Sequence, residues 1–144
     1  MIHLLSIKEA DRNRLSALHT HCISPYLNPA HFLAPPRAWL EALLRGEISW
    51  NFLRLRYKNL LRNRFLDHPL PFFELLEDSE SFRPVYLTCH CLTDHCHREI
   101  AKEFLELLRD QAPYQEWSAA RLGHAGATFP PATLLGVRET RHHA

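Results

Sequence analysis

Sulfur and imidazole side chains are concentrated in one short segment of this 144-residue chain. Three of its 4 cysteines and three histidines lie between Cys89 and His97, and Arg98 follows directly. Thiolates and neutral imidazoles are good ligands for transition metals, and the thiolate is also the nucleophilic form of cysteine. The segment therefore predicts either a metal site or a reactive thiol, depending on where the fold places these side chains.

A buried strand and an amphipathic helix are predicted on the two sides of this segment. Residues 84–88 are β-branched and aromatic, and residues 100–108 repeat apolar side chains at helical spacing. We expect Thr93 or Asp94 to cap this helix. Because a helix N-terminus carries unpaired N–H groups and partial positive charge, Cys96 in the predicted first turn is expected to favour the thiolate form.

Three interpretations of the segment stay open. In the first, Cys96 is a nucleophile that His97 orients or deprotonates, while Arg98 and the helix amides bind an anionic, phosphate-bearing ligand. In the second, the segment is a metal site suited to Zn²⁺, with four ligands: Cys89, Cys91, Cys96 and His97. His90 or His95 could substitute for any of these four. In the third, the cysteines pack as small apolar side chains and have no chemical role.

The sequence argues against two familiar kinds of phosphate-binding loop. Six residues separate Cys91 from Arg98 and eight separate Cys89 from Arg98, and neither spacing matches a phosphatase loop. The chain has only 4 glycines and contains neither a dinucleotide-binding nor a Walker-type glycine motif. An anion site here must therefore use the helix N-terminus and Arg98.

The helical signals outside this segment have recognisable ends. Pro36 is suited to the first position of a helix, and Gly46 is suited to its end. Ser49 is the expected N-cap of a longer helix that continues to Phe65, and Pro71 begins a further short helix.

Strand candidates are spread along the chain between these helices, which is typical of a layered α/β domain. We predict a single three-layer α/β domain over residues 1–120, with a small, mainly parallel sheet flanked by helices. Residues 121–144 are predicted to form an irregular C-terminal extension. The strand candidates are residues 2–7, 20–24, 84–88 and 114–117.

The overall composition indicates a globular protein without a strong electrostatic field. Hydrophobic residues make up 46% and charged residues 23%, and the net charge is +1, which argues against a disordered chain. The N-terminal sequence does not resemble a signal peptide, and no apolar stretch reaches the length of a membrane span. We therefore expect a cytoplasmic protein with no membrane partner, in which the cysteines are reduced.

The helix predicted over residues 49–65 carries a stripe of basic side chains. Such a stripe can contact phosphates of nucleic acid, so a nucleic-acid accessory protein is a further alternative. The competing interpretation is an ordinary solvated helix face. The stripe consists of Arg54, Arg56, Lys58, Arg62 and Arg64, together with Arg45 just before the helix.

Several short motifs together resemble the domain-of-unknown-function 488 family. In and just before the segment rich in cysteine and histidine, the resemblance consists of Leu87-Thr88-Cys89, a polar loop, and then Cys96-His97-Arg98. Upstream, Leu33-Ala34-Pro35 and the stretch from Gly46 to Trp50, with Tyr57 and Leu61 beyond it, extend the resemblance over about residues 30–109.

The resemblance implies a small α/β, cytosolic protein, and it leaves open whether the protein is an enzyme. It carries over four site residues, Cys89, Cys96, His97 and Arg98, and implies that Tyr57 and Arg56 reach the same pocket to bind a cofactor or ligand beside Arg98. The chain departs from the family pattern at Cys91, where many members have a glutamate. The resulting Cys-x-Cys pattern is similar to a second small-domain family and favours a metal.

Overall fold

The computed structural model describes residues 1–12, 20–81, 84–89 and 96–123. Within these residues, three strands and six helices follow one another along the chain. They are β1 (Ile2–Ser6), α1 (Ile7–Arg12), β2 (Thr20–Cys22), α2 (Arg37–Leu44), α3 (Trp50–Asp67), α4 (Leu70–Glu80), β3 (Val85–Cys89), α5 (His97–Arg109) and α6 (Ala112–Gly123).

The strands form a parallel sheet in the order β1-β3-β2. Ser6 pairs with Cys89 and Cys22 pairs with Thr88, so the carboxyl ends of all three strands lie at one edge. The central strand β3 has Val85, Leu87 and Cys89 fully buried, as expected for a strand covered by helices. The predicted α/β class, with a small parallel sheet and flanking helices, is confirmed.

Local signals at α2 and α3 act as the sequence predicts. Gly46 follows α2 with a φ of 74°, a left-handed conformation that glycine adopts without steric cost. Ser49 caps α3, since its Oγ accepts a hydrogen bond from the Phe52 N–H over 3.1 Å. The buried side of α3 includes Leu53, Tyr57 and Leu61.

Helix α6 replaces the strand that we predicted at residues 114–117, and that prediction is wrong. Tyr114 and Trp117 lie three residues apart on one face of the helix, and both rings pack against Phe73 of α4. The ring centroids are 5.9 and 5.2 Å from that of Phe73. The burial of two aromatic rings at helical spacing therefore outweighs the strand propensity of this segment, and the segment forms a helix.

Helix α5 packs on β1 and β3 and also contacts α3, so it joins the sheet to the helical layer. Its apolar face, from Ile100 to Leu108, is buried in the core. The first three residues of the predicted extension, 121–123, continue α6, and residues 124–144 lie outside the described part of the chain. Among the helices of the described ranges, none has the length and apolarity that a bilayer span requires.

Candidate metal and thiol site

Three side chains meet where β3 ends and α5 begins. Cys89 is the last residue of β3, Cys96 is the N-cap of α5, and His97 is its first residue. They lie at the carboxyl edge of the parallel sheet, where α/β proteins commonly place their functional groups. The sheet and the helix therefore bring together Cys89 and Cys96, which are seven positions apart in the sequence.

The ligand atoms of these three residues all lie within 4.8 Å of one another. Cys89 Sγ and Cys96 Sγ are 3.0 Å apart, and Cys96 Sγ is 3.7 Å from His97 Nδ1. The side chains are buried, with 0%, 3% and 1% of Cys89, Cys96 and His97 exposed. The cluster could hold a metal ion in surroundings from which bulk water is largely excluded.

The other nitrogen of His97 fixes the orientation of the imidazole. His97 Nε2 lies 2.8 Å from the carbonyl oxygen of Ile23, a residue with no exposed surface. Because a carbonyl only accepts hydrogen bonds, Nε2 carries the proton and donates it. In the neutral ring, Nδ1 therefore presents its lone pair to Cys96 Sγ. Ile23 is held in turn by its N–H bond to Thr88 O, at 2.9 Å.

Arg98 adds positive charge beside the sulfur of Cys96. The Arg98 backbone N–H and its Nε–H lie 3.4 and 3.1 Å from Cys96 Sγ. Both groups donate, and a thiolate accepts two donors far better than a neutral thiol. The arrangement agrees with the thiolate expected from the sequence, although Cys96 is the helix cap itself and not a member of the first turn.

The N-cap predicted for α5 was wrong. We expected Thr93 or Asp94, which lie outside the described residues, whereas the helix begins at His97 and is capped by Cys96. Cysteine is a weak capping residue, and Cys96 caps here because its sulfur reaches the N–H of Arg98. The capping position thus fixes the sulfur at the positive end of the helix.

Tyr57 of α3 lies next to His97 in the core. Its ring lies 6.2 Å from the imidazole of His97 at an angle of 60°, and its hydroxyl donates to the carbonyl oxygen of Leu33. Burial raises the pKa of the Tyr57 hydroxyl, so the group stays protonated and remains a donor. The Tyr57 ring is therefore a neighbour of His97, and the binding of a ligand or cofactor by Tyr57 stays a prediction.

Arg64 holds the segment that precedes α2. Its Nη1 donates to the carbonyl oxygens of Phe32 and Ala34 at 3.0 and 2.6 Å. Tyr57 and Arg64 of α3 therefore bind three successive carbonyl groups, those of residues 32–34. The sequence predicted Arg64 to lie in a basic stripe that faces either nucleic acid or solvent, and only the fold reveals this role.

Arg56 occupies a different side of α3 from Tyr57. Its guanidinium covers the ring of Trp39 at 4.6 Å and that of Phe52 at 5.9 Å, on an exposed face. These are cation–π contacts, which stabilise the packing of α2 against α3. A role for Arg56 in ligand binding stays a prediction.

Much of the basic stripe is engaged within the protein. Glu103 of α5 accepts from Arg54 Nη2 at 2.5 Å and from Lys58 Nζ at 2.6 Å. These hydrogen bonds lower the pKa of the Glu103 carboxyl. Arg45 pairs with Glu47 at 2.8 Å. A nucleic-acid interface on this helix stays a prediction, and it would have to compete with these ion pairs for its cations.

A histidine pair lies near the same edge of the sheet. His31 Nδ1 accepts from the Leu33 N–H at 3.0 Å, and His31 Nε2 lies 3.0 Å from His21 Nδ1. Burial, reinforced by the neighbouring His21 and Arg64, lowers the pKa of His31 to about 4. The ring is therefore neutral near pH 7 and donates from Nε2 to His21. The sequence contained no signal for this pairing.

One predicted metal ligand, Cys91, lies outside the described residues. The structure brings the other three, Cys89, Cys96 and His97, into one cluster. Comparisons with protein-family models, with curated proteins and with solved structures found no match to this chain. The resemblance to the domain-of-unknown-function 488 family therefore stays a prediction that rests on its motifs.

Proposed function

We propose that this chain is a metal-binding α/β domain that holds Zn²⁺ through Cys89, Cys96 and His97. The observation that carries the proposal is the convergence of two sulfurs and one imidazole nitrogen within 4.8 Å at the carboxyl edge of the sheet. Two thiolates and an imidazole form a donor set that Zn²⁺ prefers.

The spacing between sulfur and nitrogen suits a tetrahedral ion, whereas the spacing between the two sulfurs must increase. With Zn–S bonds of about 2.3 Å and Zn–N bonds of about 2.0–2.1 Å, tetrahedral angles place sulfur and nitrogen about 3.6 Å apart. Cys96 Sγ and His97 Nδ1 are separated by 3.7 Å. Two sulfurs on the same ion would be about 3.8 Å apart, so the observed 3.0 Å must widen by about 0.8 Å. Side-chain torsions of Cys89 and Cys96 can supply that movement.

The surroundings of the donors also fit a metal. Metal-ligating histidines usually donate their second ring N–H to a carbonyl or carboxylate, as His97 does to Ile23. The N–H groups of Arg98 beside Cys96 Sγ reduce the cost of burying a metal-bound thiolate. The same contacts orient both ligands before an ion binds.

The fourth ligand decides whether the site is structural or catalytic. A fourth protein ligand closes a structural zinc site, whereas a water or substrate occupies that position in a catalytic one. Cys91 is the fourth ligand that the sequence predicts. We expect a Cys91→Ser variant to retain zinc with weaker affinity, because three ligands would remain.

Metal analysis of the purified full-length protein tests the proposal. Protein prepared without added metal should contain close to one zinc per chain, and Co²⁺ substitution should give the intense absorption of tetrahedral thiolate coordination. Cys89→Ser, Cys96→Ser and His97→Ala should each lose most of the bound metal. Cys22→Ser is the matched control, since Cys22 is a half-buried free thiol at the end of the neighbouring strand.

Two results would contradict a metal site. One is less than about one tenth of a zinc per chain, together with a melting temperature that neither zinc nor a chelator changes. The other is full metal content in the Cys89 and Cys96 variants, which would place the ion elsewhere. Circular dichroism of each variant distinguishes a lost ligand from a lost fold.

A second candidate function is supported by the contacts of Arg98. The Nε–H at 3.1 Å and the backbone N–H at 3.4 Å stabilise a Cys96 thiolate that could act as a nucleophile beside a bound anionic, phosphate-bearing group. In this alternative His97 orients the sulfur through Nδ1, because its Nε2 is occupied by Ile23. Cys96 is only 3% exposed, so a reagent would have to reach a nearly buried sulfur.

Alkylation of chelator-treated protein tests this second candidate. Cys96 should react with iodoacetamide at a rate that changes little between about pH 6 and pH 8. An ordinary thiol has a pKa of about 8.5, and below that pH its reaction rate rises about tenfold for each unit by which the pH increases. Inorganic phosphate should slow the reaction if the anion occupies the helix N-terminus. A Cys96 rate that follows the pH profile of Cys22 and ignores phosphate argues against a reactive thiol.

A further inference from the structure

We infer that Cys89 and Cys96 are also an oxidation site, and that a hydroperoxide converts them into a reversible disulfide that cannot hold the metal. The disulfide chemistry belongs to the chain itself, while its effect on metal binding rests on the proposed function. The inference names Cys89, and not Cys91, as the partner of Cys96.

The distance between the two sulfurs is the first reason. At 3.0 Å, Cys89 Sγ and Cys96 Sγ are about 1 Å farther apart than in a disulfide and about 0.8 Å closer than two sulfurs on one zinc ion. Both end states are therefore reached by small side-chain movements in opposite directions. The backbone segments that carry the sulfurs are anchored, since Cys89 ends the central strand and Cys96 caps α5.

The unequal surroundings of the two sulfurs are the second reason. Cys96 Sγ lies beside both N–H donors of Arg98 and at the N-terminus of α5, which favours its thiolate. Cys89 Sγ is completely buried and contacts Cys96 Sγ. Cys96 is thus the attacking sulfur and Cys89 the resolving one.

The reaction balances with hydrogen peroxide as the oxidant. The Cys96 thiolate attacks one peroxide oxygen, the O–O bond breaks, and hydroxide leaves and takes a proton from solvent. Cys96 is then a sulfenic acid. The Cys89 sulfur attacks the Cys96 sulfur, the S–O bond breaks, and the Cys89 proton leaves with the hydroxyl group as water. Two thiols are oxidised, and one peroxide is reduced to two waters.

Metal binding and the disulfide exclude each other. A zinc ion needs both sulfurs as thiolates, and a disulfide has no thiolate to offer. Oxidation therefore removes two of the three described ligands at once and leaves His97. Reduction restores them, so the redox state of one dithiol would control whether the metal stays bound.

Peptide mapping after peroxide treatment tests the inference on the full-length protein as isolated. The intact mass should fall by about 2 Da, for two hydrogens lost, and digestion without reductant should yield a Cys89–Cys96 linked peptide. Dithiothreitol should reverse both changes. If the isolated protein contains zinc, a colorimetric zinc indicator should report about one ion released for each disulfide formed.

The variants separate the roles of the cysteines. Cys22→Ser should form the disulfide as the unsubstituted chain does. Cys91→Ser should also form it, whether or not that variant retains zinc. Cys89→Ser should instead accumulate a sulfenic acid at Cys96, which a dimedone adduct detects. A linkage to Cys91 or Cys22, or peroxide oxidation to sulfinic acid with no Cys89–Cys96 peptide, overturns the inference.

Failure of this inference is distinguishable from failure of the proposed function. A Cys89–Cys96 disulfide in a protein that never binds zinc refutes the metal site and leaves the oxidation site standing. Stoichiometric zinc with no disulfide at any peroxide concentration refutes the oxidation site and leaves the metal site standing.

Discussion

The Nε2–H of His97 donates to the carbonyl oxygen of Ile23 at 2.8 Å, across 74 positions of sequence. His97 begins α5, and Ile23 follows the last residue of β2, so the bond joins the site helix to the edge of the sheet. It also fixes the proton on Nε2 and leaves Nδ1 facing the sulfur of Cys96. One contact therefore sets both the position and the tautomer of the candidate ligand.

Replacing His97 with alanine should have two separable effects. The Ile23 carbonyl would lose a buried hydrogen-bond donor, which lowers the free energy of unfolding by about 1–3 kcal/mol even in the presence of a chelator. The metal content would fall because one ligand is removed. Urea denaturation measures the first effect and elemental analysis the second.

His68→Ala is the matched control for this substitution, because His68 is exposed at the end of α3. It should change stability by no more than about 0.5 kcal/mol and leave the metal content unchanged. Equal effects of the two substitutions would show that His97 has no special role.

Tyr57→Phe should destabilise the protein while leaving the metal ligands in place. The substitution keeps the ring beside His97 but removes the hydroxyl that donates to the Leu33 carbonyl. A buried carbonyl without its donor costs about 1–3 kcal/mol. Thermal denaturation should show the loss, and zinc per chain should stay the same. Tyr26→Phe, at an exposed position, should have little effect, and parity between the two variants contradicts the prediction.

Arg64→Met should destabilise the fold by about 1–3 kcal/mol, whereas Arg62→Met on the exposed face of the same helix should change stability by about 0.5 kcal/mol or less. The difference arises because Arg64 Nη1 bonds the carbonyls of Phe32 and Ala34. Methionine keeps the apolar stem of either side chain and removes only the donors. Chemical denaturation of the pair, side by side, is the measurement. A larger loss at Arg62 would mean that the carbonyl contacts contribute nothing.

His31 should make the protein less stable as the pH falls from about 6.5 towards 4. The folded pKa of His31 is about 4, below the ordinary value of 6.5. In that window the unfolded chain binds more protons than the folded one, so the free energy of unfolding decreases on acidification. The full decrease attributable to this group is up to about 3 kcal/mol.

Denaturation at several pH values in His31→Asn isolates this contribution. Asparagine can still accept from the Leu33 N–H but does not titrate, so the variant should lose less stability between about pH 6.5 and 4 than the unsubstituted chain. Groups that do not contact His31 behave alike in both proteins and cancel in the comparison. Parallel stability curves would assign the acid sensitivity to other groups.

Features set by neighbouring residues were predictable from the sequence. Ser49 caps α3, and Gly46 forms the left-handed turn that follows α2. Both were predictable because capping and left-handed turns depend on a few consecutive residues. A strand over residues 84–88, found at Val85–Cys89, and the helix that follows the cysteine-rich segment were predicted for the same reason. Helix α6 was missed because Tyr114 and Trp117 have strand propensity, and only packing on Phe73 decides between the two structures.

The sequence alone determined the α/β class, the chemical character of the segment from Cys89 to Arg98, and the ligand types available there. These follow from residue identity and local periodicity, which act over a few positions. Tertiary structure alone decided that Cys89 lies beside Cys96, that Ile23 orients His97, and that Arg64 serves the Phe32–Ala34 carbonyls. Such partners are chosen by sheet order and helix packing, which bring distant residues together and leave no signal in the spacing of the chain.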